Sequence, residues 1–218
     1  MLDWNAIDTV LLDMDGTLLD LHFDSHFWLE HLPQRYRELK KLDETSFDTL
    51  VTRIRAEHGT LNGYSLDYWS RELDVDIVAL KQEVAHLIGF RGDARDFLEW
   101  LKVRHPKVIL ATNADRRSLE LKLPLTGLDV YLDDIVSSAD LGHAKESAEF
   151  WMLLEDRLGL DPARTLLIDD NVHVLEAARE HGIQYLLGIL QPDSRSPVKE
   201  LQEFVALDRF QALMVDAL

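Results

Sequence analysis

Four short stretches of this chain gather residue types suited to phosphoryl transfer: Asp13-Met14-Asp15-Gly16-Thr17, Thr112-Asn113, Lys145, and Asp169-Asp170-Asn171. Carboxylates gathered in one place repel each other and raise their own pKa values unless a cation sits among them. Oxygen donors without His or Cys select a hard ion, and Mg²⁺ is the usual one beside a phosphate. A carboxylate can attack phosphorus and form an acyl-phosphate, dividing a hydrolysis into two easier steps. A second carboxylate, two residues on, points elsewhere; it can protonate the leaving oxygen and then deprotonate water. Thr112, Asn113 and Lys145 offer donors and positive charge to phosphoryl oxygens.

Such groups meet only if the fold delivers them to one edge. Ile7-Asp8-Thr9-Val10-Leu11-Leu12 is a short apolar run ending at the first acidic pair, and it reads as a buried strand. Val108–Thr112, Ile135–Ser137, Thr165–Ile168 and Gln184–Ile189 read the same way. Helical faces alternate with them: Ala94, Phe97, Leu98 and Leu101; Phe150, Trp151, Leu154 and Leu158; Val172, Leu175 and Ala178. This alternation predicts an α/β fold, a Rossmann-like, doubly wound parallel sheet, whose ligands bind beyond the carboxyl ends of the strands. Asp13, Thr112 and Asp169 each close a predicted strand, and Lys145 opens a helix after the third.

Residues 22–88 interrupt the pattern with helical repeats alone: Leu29, Leu32, Tyr36 and Leu39; Phe47, Leu50, Val51 and Ile54; Ile77, Leu80, Val84 and Leu87. The expected organisation is a sheet domain built from residues 1–21 and 89–218 with a helical module, 22–88, inserted after the first strand. Gly89-Phe90-Arg91-Gly92 reads as the hinge back.

Each motif also has a plainer reading. Asp-x-Asp-Gly favours turns, Asp169-Asp170-Asn171 suits a helix cap, Thr112-Asn113 suits a strand-to-helix turn, and a single lysine such as Lys145 is usually solvated. Trp28, Tyr64, Tyr68 and Trp69 could stack on a base, although aromatics so placed more often form a small core. Arg91, Arg116, Arg117 and Lys122 could contact substrate anions, although charged residues at helix starts are usually solvated. His22 and His26 have the spacing of a helical metal pair, with no third ligand in sight.

The chain has 218 residues, 46% hydrophobic and 29% charged, enough for a sizeable core. A net charge of −17 argues against a nucleic-acid partner, which clustered Lys and Arg would have to hold. It leaves room for one small anion bound by local cations and a metal. No apolar run approaches the ~20 residues of a membrane span. The first residues lack the basic start and apolar stretch of a signal peptide, so a cytoplasmic location is the default expectation. Cysteine is absent, which removes disulfides and thiolate metal sites. A monomer or small homo-oligomer is expected.

Asp13-Met14-Asp15-Gly16-Thr17 resembles the first motif of the haloacid dehalogenase superfamily. Thr112, Lys145 and Asp169-Asp170 resemble its second, third and fourth motifs in the same order, and the insertion resembles the family's helical cap. The resemblance implies Asp13 as nucleophile and metal ligand, and Asp15 as general acid/base with its carbonyl on Mg²⁺. It makes Thr112 and Lys145 phosphate ligands, with Lys145 offsetting the charge of Asp13. Asp170 aligns with the metal-binding acid and is expected as a direct ligand, while Asp169, standing where many members have Gly, is expected as a direct or water-mediated one. Glu146 stands where many have Pro. Further stretches are similar to the bacterial GMP/IMP nucleotidases of the superfamily: Leu11–Leu21 with Phe27-Trp28, Leu66–Ser70, Thr126–Asp129, and Leu187-Gly188 leading to Pro192-Asp193-Ser194. They imply a purine nucleoside monophosphate as substrate. The same chemistry would also serve a phosphatase for phosphoglycolate or another small phosphate, or a phosphomutase of the β-phosphoglucomutase kind. Haloacid dehalogenation is disfavoured, because that branch keeps no acid where Asp15 stands. A phospho-accepting or phosphate-binding module is the reading outside catalysis; retention of Asp13, Asp15 and Lys145 favours turnover.

Overall fold

The computed structural model describes residues 2–41, 44–57, 59–104, 106–201 and 203–214, without side chains for residues 44–47. Strand β1 (Thr9–Leu12) leads into the inserted helices: α1 (His22–His26), a π-helical stretch (Phe27–His31), α2 (Leu32–Lys40), α3 (Glu44–Ala56), α4 (Leu61–Tyr64), α5 (Leu66–Leu73) and α6 (Ile77–Glu83). The chain then alternates α7 (Ala94–Arg104), β2 (Lys107–Thr112), α8 (Arg116–Thr126) and β3 (Asp134–Ser137). After α9 (Ser138–Leu141) and α10 (Ala148–Leu158) come β4 (Thr165–Asp169), α11 (Val172–His181), β5 (Tyr185–Ile189) and β6 (Val205–Leu207). The six strands form one sheet in the order β3-β2-β1-β4-β5-β6, every neighbour parallel. The α/β class and doubly wound sheet are as the alternation predicts. β6 was not foreseen: its three residues are mostly exposed and have no period to read.

Because side chains alternate across a strand, each central strand feeds two cores. Val10, Leu12, Val108, Leu110, Leu166 and Ile168 pack with Phe97, Leu98 and Leu101 of α7 on one face. Leu11, Ile109, Ala111 and Leu167 pack with Phe150, Trp151 and Leu154 of α10 and Val174, Leu175 and Ala178 of α11 on the other. On α11 the buried face starts at Val174, and Val172 is only half-buried.

The inserted helices have their own apolar cluster, including Phe23, Phe27, Leu32, Leu50, Ile54, Leu66, Trp69, Leu73, Ile77, Leu80 and Val84. Two positions assigned to this face by spacing, Leu29 and Leu39, are instead 55% and 51% exposed. The cause is the π-helical turn, in which Leu32 N–H donates to the Phe27 carbonyl five residues back, followed by Pro33, which has no N–H to give. That extra residue rotates the stripe onto Phe23, Phe27 and Leu32. The Phe47 side chain lies outside the described residues. Trp69 is buried in the cluster with Trp28 tilted against it at 5.7 Å, so these two aromatics are core. Where the chain enters and leaves the insert its two strands are stitched together: Asp20 N–H donates to Gly89 O at 3.0 Å, and Arg91 N–H to Leu18 O at 2.8 Å. No helix among the described residues is long and apolar enough to cross a membrane.

Candidate active site

The loop after β1 is a tight knot. Asp13 N–H donates to Ile168 O of β4, and the N–H groups of Leu18 and Leu19 both donate to Met14 O. Gly16 turns at φ +91, a conformation that favours glycine. These bonds set the Asp13 side chain, 6% exposed, among the ends of β1, β2 and β4.

Lys145 joins three strand ends. Its ammonium donates to Asp13 Oδ1 at 2.6 Å, Asp169 Oδ2 at 2.7 Å and the Ala111 carbonyl at 3.0 Å, and the residue is 2% exposed. It is therefore not the solvated lysine of the plainer reading. Its backbone is held as firmly: its N–H donates to Asn113 Oδ1 at 2.9 Å, and its carbonyl accepts from Trp151 Nε1 at 2.7 Å. Asp169 Oδ1 accepts the Asn171 N–H, while Asp170 is approached by the Lys199 ammonium at both its carbonyl and carboxylate. Thr112 is buried, its hydroxyl accepting from Ala114 N–H at 3.1 Å. The hydroxyls of Ser137 and Ser138, at the end of β3, brace the turn by donating to Ala114 O and Asn113 O.

Asp13, Asp169 and Asp170 each offer a carboxylate oxygen, all within 4.8 Å of one another. Burial, with Lys145 opposing and Asp169 adding repulsion, pushes Asp13 up to about 6. Burial and the Asp13 charge push Asp170 to about 6, and burial raises Asp169 as well. Lys145 stays above its ordinary value despite burial, held there by Asp13 and Asp169. An oxygen-only cluster carrying more buried negative charge than its ammonium can neutralise is a fit for a hard divalent cation.

Asp15 turns away from this group. Its Oδ1 lies 2.7 Å from Nζ of Lys122 on α8, and burial outweighs that partner to push it up to about 6. Lys122 is 1% exposed, a correction to its expected solvation. Arg91, Arg116 and Arg117 are spent on Gln191 and Asp208 carbonyls, on Asp140 and on Asp67 respectively.

The inserted helices reach the site directly. The Tyr64 hydroxyl donates to Glu146 Oε1 at 2.8 Å, and the same carboxylate accepts from Asn171 Nδ2 at 3.1 Å and Asn113 Nδ2 at 2.9 Å. Asp115 caps α8 through Ser118 N–H and accepts Leu66 N–H at 2.7 Å. Tyr64 is therefore a polar contact to the sheet domain and not part of the helical core. Glu146 escaped the sequence reading as a site residue, and Tyr64 entered it only as an aromatic that could stack on a base or join the core. Lys122 carries a readable signal, a charge on the buried stripe begun by Leu119. His22 and His26 sit 5.9 Å apart ring to ring, His26 beside Glu30 and His22 beside Asp193.

A family model of haloacid dehalogenase-like hydrolases matches residues 7–182. The chain is 39% identical over 212 residues to the GMP/IMP nucleotidase YrfG of Escherichia coli (strain K12), covering 97% of this chain and 96% of that protein. It is 25% identical over 197 residues to the pyrophosphatase PpaX of Oceanobacillus iheyensis, covering 82% of each. Among solved structures, a HAD phosphatase from Thermococcus onnurineus superposes with a TM-score of 0.78 at 19% identity, covering 95% of this chain and 96% of that one, a likeness of fold.

Proposed function

This chain belongs to the haloacid dehalogenase-like hydrolases, and on that premise we propose that it is a Mg²⁺-dependent purine 5′-nucleotidase acting on GMP and IMP through an aspartyl-phosphate. That it is a phosphomonoester hydrolase follows from the family and from its nucleotidase relative. The purine assignment is carried by one observation, the 39% identity to the GMP/IMP nucleotidase along nearly the whole of both chains.

The chemistry assigned here is in-line attack by an Asp13 carboxylate oxygen on phosphorus. As that bond forms, the P–O bond to the nucleoside breaks, and Asp15 gives its proton to the departing oxygen. Asp15 then takes a proton from water, whose oxygen attacks phosphorus and releases inorganic phosphate and the Asp13 carboxylate. Thr112 and Lys145 hold the phosphoryl oxygens, and Asn113 joins them on releasing Glu146. Asp13, Asp170, Asp169 and the Asp15 carbonyl would hold Mg²⁺, which when bound offsets phosphoryl charge and supports in-line geometry. The inserted helices act as a cap that excludes water and selects the leaving group, a role supported by their separate core and by the Tyr64–Glu146 and Leu66–Asp115 bonds.

Phosphate release is the test, measured with Mg²⁺ and then with chelator on GMP, IMP, AMP, a pyrimidine nucleotide, phosphoglycolate and glucose phosphates. Chelator-sensitive release favouring GMP and IMP is expected. Preference for another ester would keep the chemistry and remove the purine assignment.

A further inference from the structure

Behind Asp15 runs a buried row of charges that alternate in sign. Lys122 Nζ of α8 lies 2.7 Å from Asp15 Oδ1 and 2.6 Å from Oδ2 of Asp24, on α1 of the insert. The other Asp24 oxygen, Oδ1, takes the ammonium of Lys81, on α6, at 2.5 Å. Both lysines are 1% exposed, and the Lys81 ammonium lies over the rings of Phe23, Phe27 and Trp28 at 4.8, 4.9 and 5.5 Å. Removing two ammonium groups from water is costly, and apolar side chains of similar size often serve stability as well or better. An arrangement that packing does not require, ending on the carboxylate assigned to proton transfer, asks for another explanation.

We propose that Lys122 is a positioning residue for Asp15, held in place by Asp24 and Lys81, and that this row ties proton transfer to the seating of the inserted helices. The inference rests on the reading of Asp15 as general acid/base. The Lys122 ammonium, 2.7 Å from Oδ1, fixes the plane of the Asp15 carboxyl group and leaves Oδ2, which takes no partner among the described residues, to face a leaving oxygen. Asp24 is essential to this, because its contact to Nζ at 2.6 Å fixes where the Lys122 ammonium stands and so where it meets Asp15. Lys81 in turn neutralises Asp24. Because Lys122 belongs to the sheet domain and Asp24 and Lys81 to the insert, the aim of Asp15 depends on contact between them.

The test uses two aryl esters, p-nitrophenyl phosphate and phenyl phosphate, with Mg²⁺. Departure of phenoxide needs protonation more than departure of p-nitrophenoxide, and kcat/KM reports the steps up to that departure. Lys122→Met should lower kcat/KM for phenyl phosphate on the order of 100-fold, and for p-nitrophenyl phosphate less than about 10-fold. Lys122→Arg, which keeps the charge and donors, should recover most of the loss. Asp24→Asn should show the same bias at smaller size, and it reads the coupling independently if Lys122→Met does not fold. Asp15→Asn is the reference. If Asp15→Asn shows no leaving-group bias, the acid/base reading of Asp15 falls. If it shows the bias while Lys122→Met and Asp24→Asn lose both esters equally, or neither, only the positioning role falls.

Discussion

Gly16 turns the chain at φ +91, and a Cβ built there would stand 2.8 Å from Cγ of Asp170. Gly16→Ala must therefore strain its own backbone by about 1 kcal/mol or more and displace a proposed metal ligand. The expected result is a fall of at least about tenfold in phosphate release at fixed Mg²⁺, with far-UV circular dichroism unchanged. Asp13→Asn should abolish turnover outright, since an amide is no nucleophile toward phosphorus; a rate near that of the parent would strip Asp13 of its role. That Asp13, Lys145, Asp169 and Asp170 would meet was readable, because their types and order suit one chemistry. The buried row that Lys122, Asp24 and Lys81 form was not read, because a charged residue taken singly is a surface residue. Yet Lys81 falls four after Ile77 and three before Val84, inside the apolar stripe of α6, and a charge in that register needs a buried partner.

Between elements, the Asp24 bridge sets a pH dependence. Burial alone would raise its pKa, but the ammonium groups of Lys122 and Lys81 hold it at about 2, below the ordinary carboxylate value of 3.8. A carboxylate depressed on folding adds stability above its unfolded pKa, and that contribution is lost as pH falls through the folded one. The contribution should be intact at neutral pH and disappear between about pH 4 and 2. Thermal unfolding of Asp24→Asn should accordingly show a deficit against the parent at pH 7 that narrows over that window; a deficit constant down to pH 2 would contradict the bridge. Element identity was legible wherever an apolar run or a 3.6-residue stripe stayed in phase, as in β1, β4 and α7. The buried face, though not the helical identity, failed over the π-helical stretch and α2, where one π turn and Pro33 shifted the phase and left Leu29 and Leu39 facing solvent.

Across the whole molecule, a chain of net charge −17 concentrates three of its carboxylates, two of them buried, at one sheet edge. A divalent ion binding there should raise the unfolding temperature, by an amount that follows RT ln(1 + [Mg²⁺]/Kd), about 2.7 kcal/mol at a hundredfold excess over Kd. Asp170→Asn should lose most of that rise, whereas equal rises in both proteins would place the stabilising ion elsewhere. The parallel, doubly wound sheet was implied by strand–helix alternation, but how the insert sits on the site was not, because Tyr64, Glu146, Leu66 and Asp115 meet from positions far apart in sequence.

The stitched crossing at Leu18–Asp20 and Gly89–Arg91 has a consequence for how such a chain can be rearranged. The insert leaves and rejoins the sheet domain through neighbouring backbones, so the sheet domain spans it as it would a short loop, whatever its length. Excision with a brief turn, or transplantation of a foreign helical segment, would leave the sheet register untouched. What a graft must carry with it is a carboxylate where Asp24 stands; otherwise Lys122 is left as a buried cation facing an alien surface, and a transplant that folds would still aim its acid badly.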